Sequence, residues 1–237
     1  MTAIPVPHYL TDQRFFTRMA VLVSVITIFG FAQFALRGIP DYRNAPFHIH
    51  LHGILYLGWL LLYMTQSVLA GRGSMRLHSK LGMAGAILVV MMVVVGSYAG
   101  IQSIARGHVP PHYTPAFFLP LVQLAVIAFG ALAVTAIIMR RDTQTHRRLF
   151  FAAAVILMDP ALDRMLPGPI IGGPTSQWLA LAIQLTIMGI IMLHDRKQLG
   201  HVHGATWTGA GVIVATHLLT QSLAHVPAVA AMAGRIG

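Results

Sequence analysis

Apolar runs separated by short polar punctuation recur along the whole chain, at about 19–36, 48–70, 80–104, 116–139, 149–166, 177–193 and 208–233. A helix rises 1.5 Å per residue, so a run of about 20 apolar residues matches the hydrocarbon thickness of a bilayer. The pattern predicts an all-α integral membrane bundle of seven transmembrane helices. The fifth run is the shortest, and the seventh is interrupted by His217, Gln221 and His225 at four-residue steps, a polar side expected to face the bundle interior. Connections are short, with no low-complexity run, repeat or composition break, so residues 1–237 are read as a single transmembrane domain.

Within the second and third runs the polar positions are periodic. His48, His52, Tyr56, Trp59, Tyr63 and Gln66 recur at steps of three or four and share one helix face, while the remaining faces are aliphatic. In the third run Gly82 and Gly85, then Gly96, Gly100 and Ser103, form a stripe of almost no side-chain volume. Such a stripe is by default a packing groove, and beside a histidine and aromatic face it also leaves room for a group bound between helices.

Composition fixes the class. Hydrophobic residues make up 56% of the chain and charged residues 9%, with mean hydropathy +0.71, values outside the range of soluble domains of 237 residues. Six acidic residues, all Asp, stand against sixteen Lys and Arg, but the basic ones lie between apolar runs rather than in a patch that could follow a nucleic acid. The +10 charge therefore reads as topology. With seven spans, eleven of the basic residues (Arg14, Arg18, Arg72, Arg76, Lys80, Arg140, Arg141, Arg147, Arg148, Arg196, Lys197) fall on one side and five on the other. The positive-inside rule then places the N-terminus in the cytoplasm and the C-terminus outside. The segment Met1 to Arg18, with Pro5, Pro7, Asp12 and Arg14, lacks the cationic start and short apolar core of a cleavable signal, so the first span is expected to direct insertion. There is no cysteine, which excludes disulfides, thiolate catalysis and cysteine-held iron-sulfur clusters as intrinsic features. The thirteen Met are scattered and read as core filler.

The assigned topology sorts most of the thirteen histidines into two layers. His48, His50, His52, His108, His112 and His225 fall outward; His78, His146, His194, His201 and His203 fall inward. Spans two to five each carry a histidine at the entrance, His52, His78, His112 and His146, alternating between membrane faces. Neutral imidazoles from facing helices are what an axially ligated haem needs. At the boundary between lipid and water a histidine also serves as ordinary polar rim.

His52-Gly53 at a span entrance, Trp59 two turns on, the hairpin Ala70-Gly71-Arg72, Leu77-His78 opening the next span and the Gly-rich helix after it together resemble the cytochrome b561 superfamily. The resemblance covers the second and third spans. It implies two b-type haems, one near each face, held by four histidines on consecutive helices, with His52 and His112 on the outer haem and His78 and His146 on the inner one. Pro110-Pro111-His112-Tyr113-Thr114-Pro115 departs from the pattern because it cannot be helical, and His225 or His217 is the substitute. Leu77-His78-Ser79-Lys80-Leu81-Gly82 and Thr145-His146-Arg147-Arg148-Leu149 also look like an uncharacterised bacterial multispanning membrane family, consistent with a bacterial inner membrane.

A second constellation lies at Asp159-Pro160 and Asp163-Arg164, one turn apart on one face near the outer interface. Acids at that depth are functional candidates. With His48 and His52 at i and i+4 they make a plausible N/O set for zinc, iron or copper. The alternative is structural: Asp163 paired with Arg164 or Arg43, and Asp159 capping the break at Pro160. No HExxH, phosphate-binding loop or nucleophile elbow is present. His194-Asp195-Arg196-Lys197 and His201-Val202-His203 read as a solvated loop. Three functions follow: a b-type haem protein passing electrons between quinone or a similar reductant and an acceptor, a metal-dependent membrane enzyme acting on a lipid-like substrate, or a non-catalytic subunit docked on another membrane protein.

Overall fold

The structure is a computed structural model that describes residues 8–39 and 41–237. Pro5 and Pro7 of the N-terminal segment lie outside the described residues. The elements in chain order are α1 His8–Leu36, α2 Phe47–Gly71, α3 Met75–Ala105, α4 Pro115–Ile138, α5 Thr143–Leu157, α6 Asp159–Met165, α7 Gly168–Ile171, α8 Gly173–Leu199, α9 Gly204–Leu223 and α10 Pro227–Ile236, with no strand among the described residues.

Among the described residues five helices are long and apolar enough to cross a membrane: α1 from Thr11, α2, α3, α4 and α8. A sixth crossing results if α9 and α10 are taken together, although they meet at 83°. The chain is an integral membrane protein. Two segments expected as simple spans are built differently. The run 149–166 is broken at Met158 into α5, 15 residues, and α6, 7 residues, because Pro160 has no N–H to continue the ladder and its ring crowds the preceding turn. The run 208–233 stops at Leu223, and Pro227 opens α10 in a new direction.

Local chemistry sets the helix ends. Thr114 caps α4, its hydroxyl accepting from the Phe117 amide at 3.2 Å with Pro115 in the first turn, and Asp142 caps α5 by accepting from the Gln144 and Thr145 amides at 3.0 and 3.2 Å. Helix α3 closes at Gly107, whose φ of +67° lets the His108 amide reach back 2.8 Å to the Ser103 carbonyl.

At the centre sits α5. Leu149 and every residue from Phe151 to Leu157 are buried, packed by α1, α4, α8 and α9. Three consecutive alanines, Ala152 to Ala154, allow that approach, and a Cβ on Gly209 of α9 would meet Ala152 Cβ at 2.5 Å. Phe16, Val23, Trp59, Met92, Phe129, Phe151 and Met188 fill the interior around it.

The glycine stripe of α3 is a packing groove. A Cβ at Gly85 would lie 3.1 Å from Leu62, at Gly100 2.6 Å from Val122, and at Gly96 it would overlap the Tyr56 hydroxyl. Tyr56 donates from that seat to the Met92 carbonyl at 3.2 Å. Tyr56 and Gln66 of the polar face of α2 therefore meet α3 at Gly96 and Gly82, and Leu62 of α2 and Val122 of α4 occupy the rest of the trough.

One end of the bundle is clamped by buried charge. Arg148 donates to Asp195 at 3.0 and 2.5 Å, with both side chains fully buried, and Asp195 also accepts from the Thr206 hydroxyl at 2.5 Å and the His203 amide at 3.1 Å. Arg147 pairs with Asp12 of α1, which also meets His194 at 2.9 Å, and the His194 ring stacks on Phe15 at 3.6 Å. The expectation of a solvated loop at His194-Asp195 is thus corrected. Asp195 is the acceptor that joins α5, α8 and the start of α9.

Candidate functional site

His78 and His146 occupy the first turns of α3 and α5 at this clamped end. Their ring centroids are 6.3 Å apart with planes at 69°. His78 Nδ1 lies 3.2 Å from the Gln66 carbonyl, and the Gln66 amide donates back to the His78 carbonyl at 2.9 Å. His146 Nδ1 lies 2.7 Å from the carbonyl of Ala136 near the end of α4. That carbonyl is left over by the helix, because the Arg140 amide turns to Ile137 instead. A carbonyl only accepts, so each Nδ1 carries the proton and each Nε2 of the neutral ring presents its lone pair. This is the arrangement of ligating histidines, whose second nitrogen donates to a carbonyl and sets the ring. Two imidazoles bound through Nε2 to one ion at about 2 Å put their centroids about 6 Å apart. The pair offers two imidazole nitrogens that would hold a haem iron.

At the opposite end the other candidates are placed differently. His48 stands edge-on to Tyr98 at 5.3 Å, and His52 stacks on Tyr56 at 4.0 Å with its Nδ1 buried and unpartnered. His112, in the non-helical loop before α4, holds Asp163 through Nε2 at 3.1 and 3.3 Å, leaving its Nδ1 buried and unpartnered. Gly168 makes room for that ring, since a Cβ there would come within 2.9 Å of it. Among the described residues no ring contact joins His52 to His112, and the His112 nitrogen that would meet iron is occupied by a carboxylate. The outer pair does not fit a haem as it stands. Neither are His48, His52, Asp159 and Asp163 gathered for a metal: among the described residues no three His or Asp side chains converge on one point. The reason is competition. Asp163 is taken by His112 and Tyr113, and Asp159 faces His217 at 3.8 Å. Arg164, the expected ion-pair partner of Asp163, donates instead to the Pro160 carbonyl at 2.6 Å and lies over Phe31 and Phe34.

What does assemble at this end is a buried polar file. Tyr113 donates to Asp163 at 2.7 Å and accepts from Gln177 at 2.8 Å, and Asp159 stands one turn before Asp163 on α6. Burial first, then the Asp163 charge, pushes the Tyr113 phenol well above its ordinary range and keeps it a donor. Beyond Asp159 stand His217 of α9 and Gln184 of α8, both buried. Tyr113, Gln177 and Gln184 escape a reading by motif. Their signal is polarity inside apolar runs, with Gln177 and Gln184 two turns apart on one face of α8.

No protein-family model, curated protein or solved structure matches the chain.

Proposed function

We propose that this chain is a b-type haem protein of a bacterial inner membrane that exchanges electrons with a lipid-soluble reductant such as a quinone, with His78 and His146 as the axial ligands. The observation that carries the reading is the pair itself: two rings 6.3 Å apart on facing helices, each with Nδ1 committed to a carbonyl and Nε2 left as a lone pair. Bound haem supplies one-electron chemistry. The chain's part is to fix both ring orientations through the Gln66 and Ala136 carbonyls and to shield the pair with Phe150, 5.0 Å from His146. On this reading α5 with α6 is a further span sheltered from lipid by its neighbours, α9 makes the seventh, and the eleven basic residues at the His78 end make that end cytoplasmic. His52 and His112 are not part of the proposal, because His112 Nε2 is held by Asp163.

The test is an absorption spectrum of the detergent-purified chain made with ample haem supply, before and after dithionite. A Soret band that shifts on reduction is expected, lost in His78→Ala and in His146→Ala and retained in His112→Ala. Purified wild type without haem, or a spectrum unchanged in both ligand variants, overturns the assignment.

A further inference from the structure

The polar file ends in a small cavity of about 10 Å³ between α4, α5, α8 and α9, whose polar walls are Asp159, Gln184, Thr216 and His217. A space of about 10–15 Å³ holds one water-sized guest. The side chains of Asp159, Gln184 and His217 are each more than nine-tenths buried, and each carries a polar atom with no partner: Asp159 Oδ1, Gln184 Oε1 and His217 Nε2.

The orientation of these groups decides what fits. Gln184 Nε2 donates to the Val155 carbonyl at 3.0 Å, and a carbonyl accepts only from the nitrogen, so the free end is the oxygen. The Thr216 hydroxyl spends its proton on the Val212 carbonyl at 2.8 Å, leaving lone pairs toward the cavity. Three oxygens, one from a carboxylate, therefore face a space that has at most one N–H, that of His217. Buried acceptors require a partner that brings protons or positive charge. A neutral water has two hydrogens for these oxygens, and His217 Nε2 stands 3.8 Å from Asp159 Oδ1, beyond hydrogen-bond reach, whereas a cation between the groups meets the carboxylate directly.

We propose that this cavity is a site for one water-sized monovalent cation, sodium, held by the Asp159 carboxylate with the Gln184 and Thr216 oxygens. The site shares no lining residue with the His78 and His146 pair, and it does not depend on haem.

The test uses the full chain in detergent with N,N′-dicyclohexylcarbodiimide, which adds to a protonated carboxyl in apolar surroundings, read by peptide mass spectrometry in choline chloride and in sodium chloride at equal ionic strength. Asp159 labelled in choline and protected by sodium identifies sodium as the ligand, and protection is lost in Gln184→Leu. Equal labelling in both salts overturns the proposal, because a protonated Asp159 beside a neutral water gives the same result. Asp159→Asn abolishes the label in either case. A melting temperature higher in sodium than in choline is an independent mark of sodium binding that needs no variant. Asp159 unlabelled in both salts, together with a melting temperature indifferent to sodium, overturns the proposal and leaves a neutral water as the occupant.

Discussion

Asp195→Asn tests the buried clamp. The carboxylate receives two guanidinium bonds from Arg148, a hydroxyl bond from Thr206 and an amide bond from His203, and neither charged side chain reaches solvent. Asparagine keeps the shape and one acceptor oxygen but removes the charge. Arg148 then stays buried with Gln144 as its remaining hydrogen-bond partner in α5. Removing one partner of a fully buried pair costs about 3–5 kcal/mol, because the other charge is left uncompensated. For a chain of 237 residues each kcal/mol moves the midpoint by about 2–4 °C, so the expected drop is roughly 6–20 °C. Thermal unfolding followed by tryptophan fluorescence reads it, since Trp207 adjoins Thr206 in α9. Arg148→Met in the Asp195→Asn background removes the stranded charge, and the double variant is expected to melt above the single one. A single variant within about 2 °C of wild type, or a double variant that loses the sum of both singles, refutes the claim that the pair is desolvated and coupled.

Two further outcomes follow from helix ends and helix contacts. Asp142→Ala removes the cap of α5 and is expected to cost about 1 kcal/mol in urea unfolding at neutral pH. The Thr145 hydroxyl, then its amide, holds the Asp142 carboxyl below its ordinary 3.8, so this stability is present above that value and is lost as pH falls through the lower folded one. The variant's acid unfolding should lack that component, and identical acid profiles would show that the cap carries no charge effect. Gly30→Ala forces a methyl to within 2.6 Å of the Ala161 carbonyl oxygen in α6, a backbone atom that cannot swing aside, and should cost about 1–3 kcal/mol of thermal stability. Gly58→Ala, where a methyl meets open space, should be neutral or stabilise α2 by up to about 1 kcal/mol, and a reversed order of these two variants contradicts the packing of α1 on α6.

The long helices were legible from hydropathy because α1 to α4 and α8 each present an aliphatic flank, as Val21, Ile54, Ile87, Ile127 and Leu193 do, and a flank facing lipid must be apolar along its length. Helix α5 presents no such flank. Wrapped by four neighbours, it carries Arg147 and Arg148 at its start and three small alanines in its middle, so its apolar run is the weakest although its burial is the deepest. The clamp was illegible for another reason. Arg148 and Asp195 are 47 residues apart, each beside further charges, and nothing local distinguishes a buried ion pair from a solvated loop. Periodicity did show the His and Tyr face of α2 and the glycine stripe of α3, but only the bulk of Tyr56 and Leu62 of α2 and Val122 of α4 reveals that two neighbouring helices fill the stripe.

Among the buried glutamines, Gln184 is the one that lines the cavity. Inside an apolar bundle a polar side chain persists when the bundle itself satisfies it. Gln66 binds the His78 carbonyl, Gln123 donates to the Ser97 carbonyl while accepting the Ser97 hydroxyl at 2.5 Å, and Gln177 binds Tyr113. Gln66, Gln177 and Gln184 each spend the nitrogen and leave the oxygen unpartnered, and that of Gln184 lines the cavity beside Asp159 and His217, whose Oδ1 and Nε2 are unpartnered too. Three unpartnered buried polar groups around one water-sized space share one remedy, since leaving each unmade costs about 1–3 kcal/mol and a single guest serves all three.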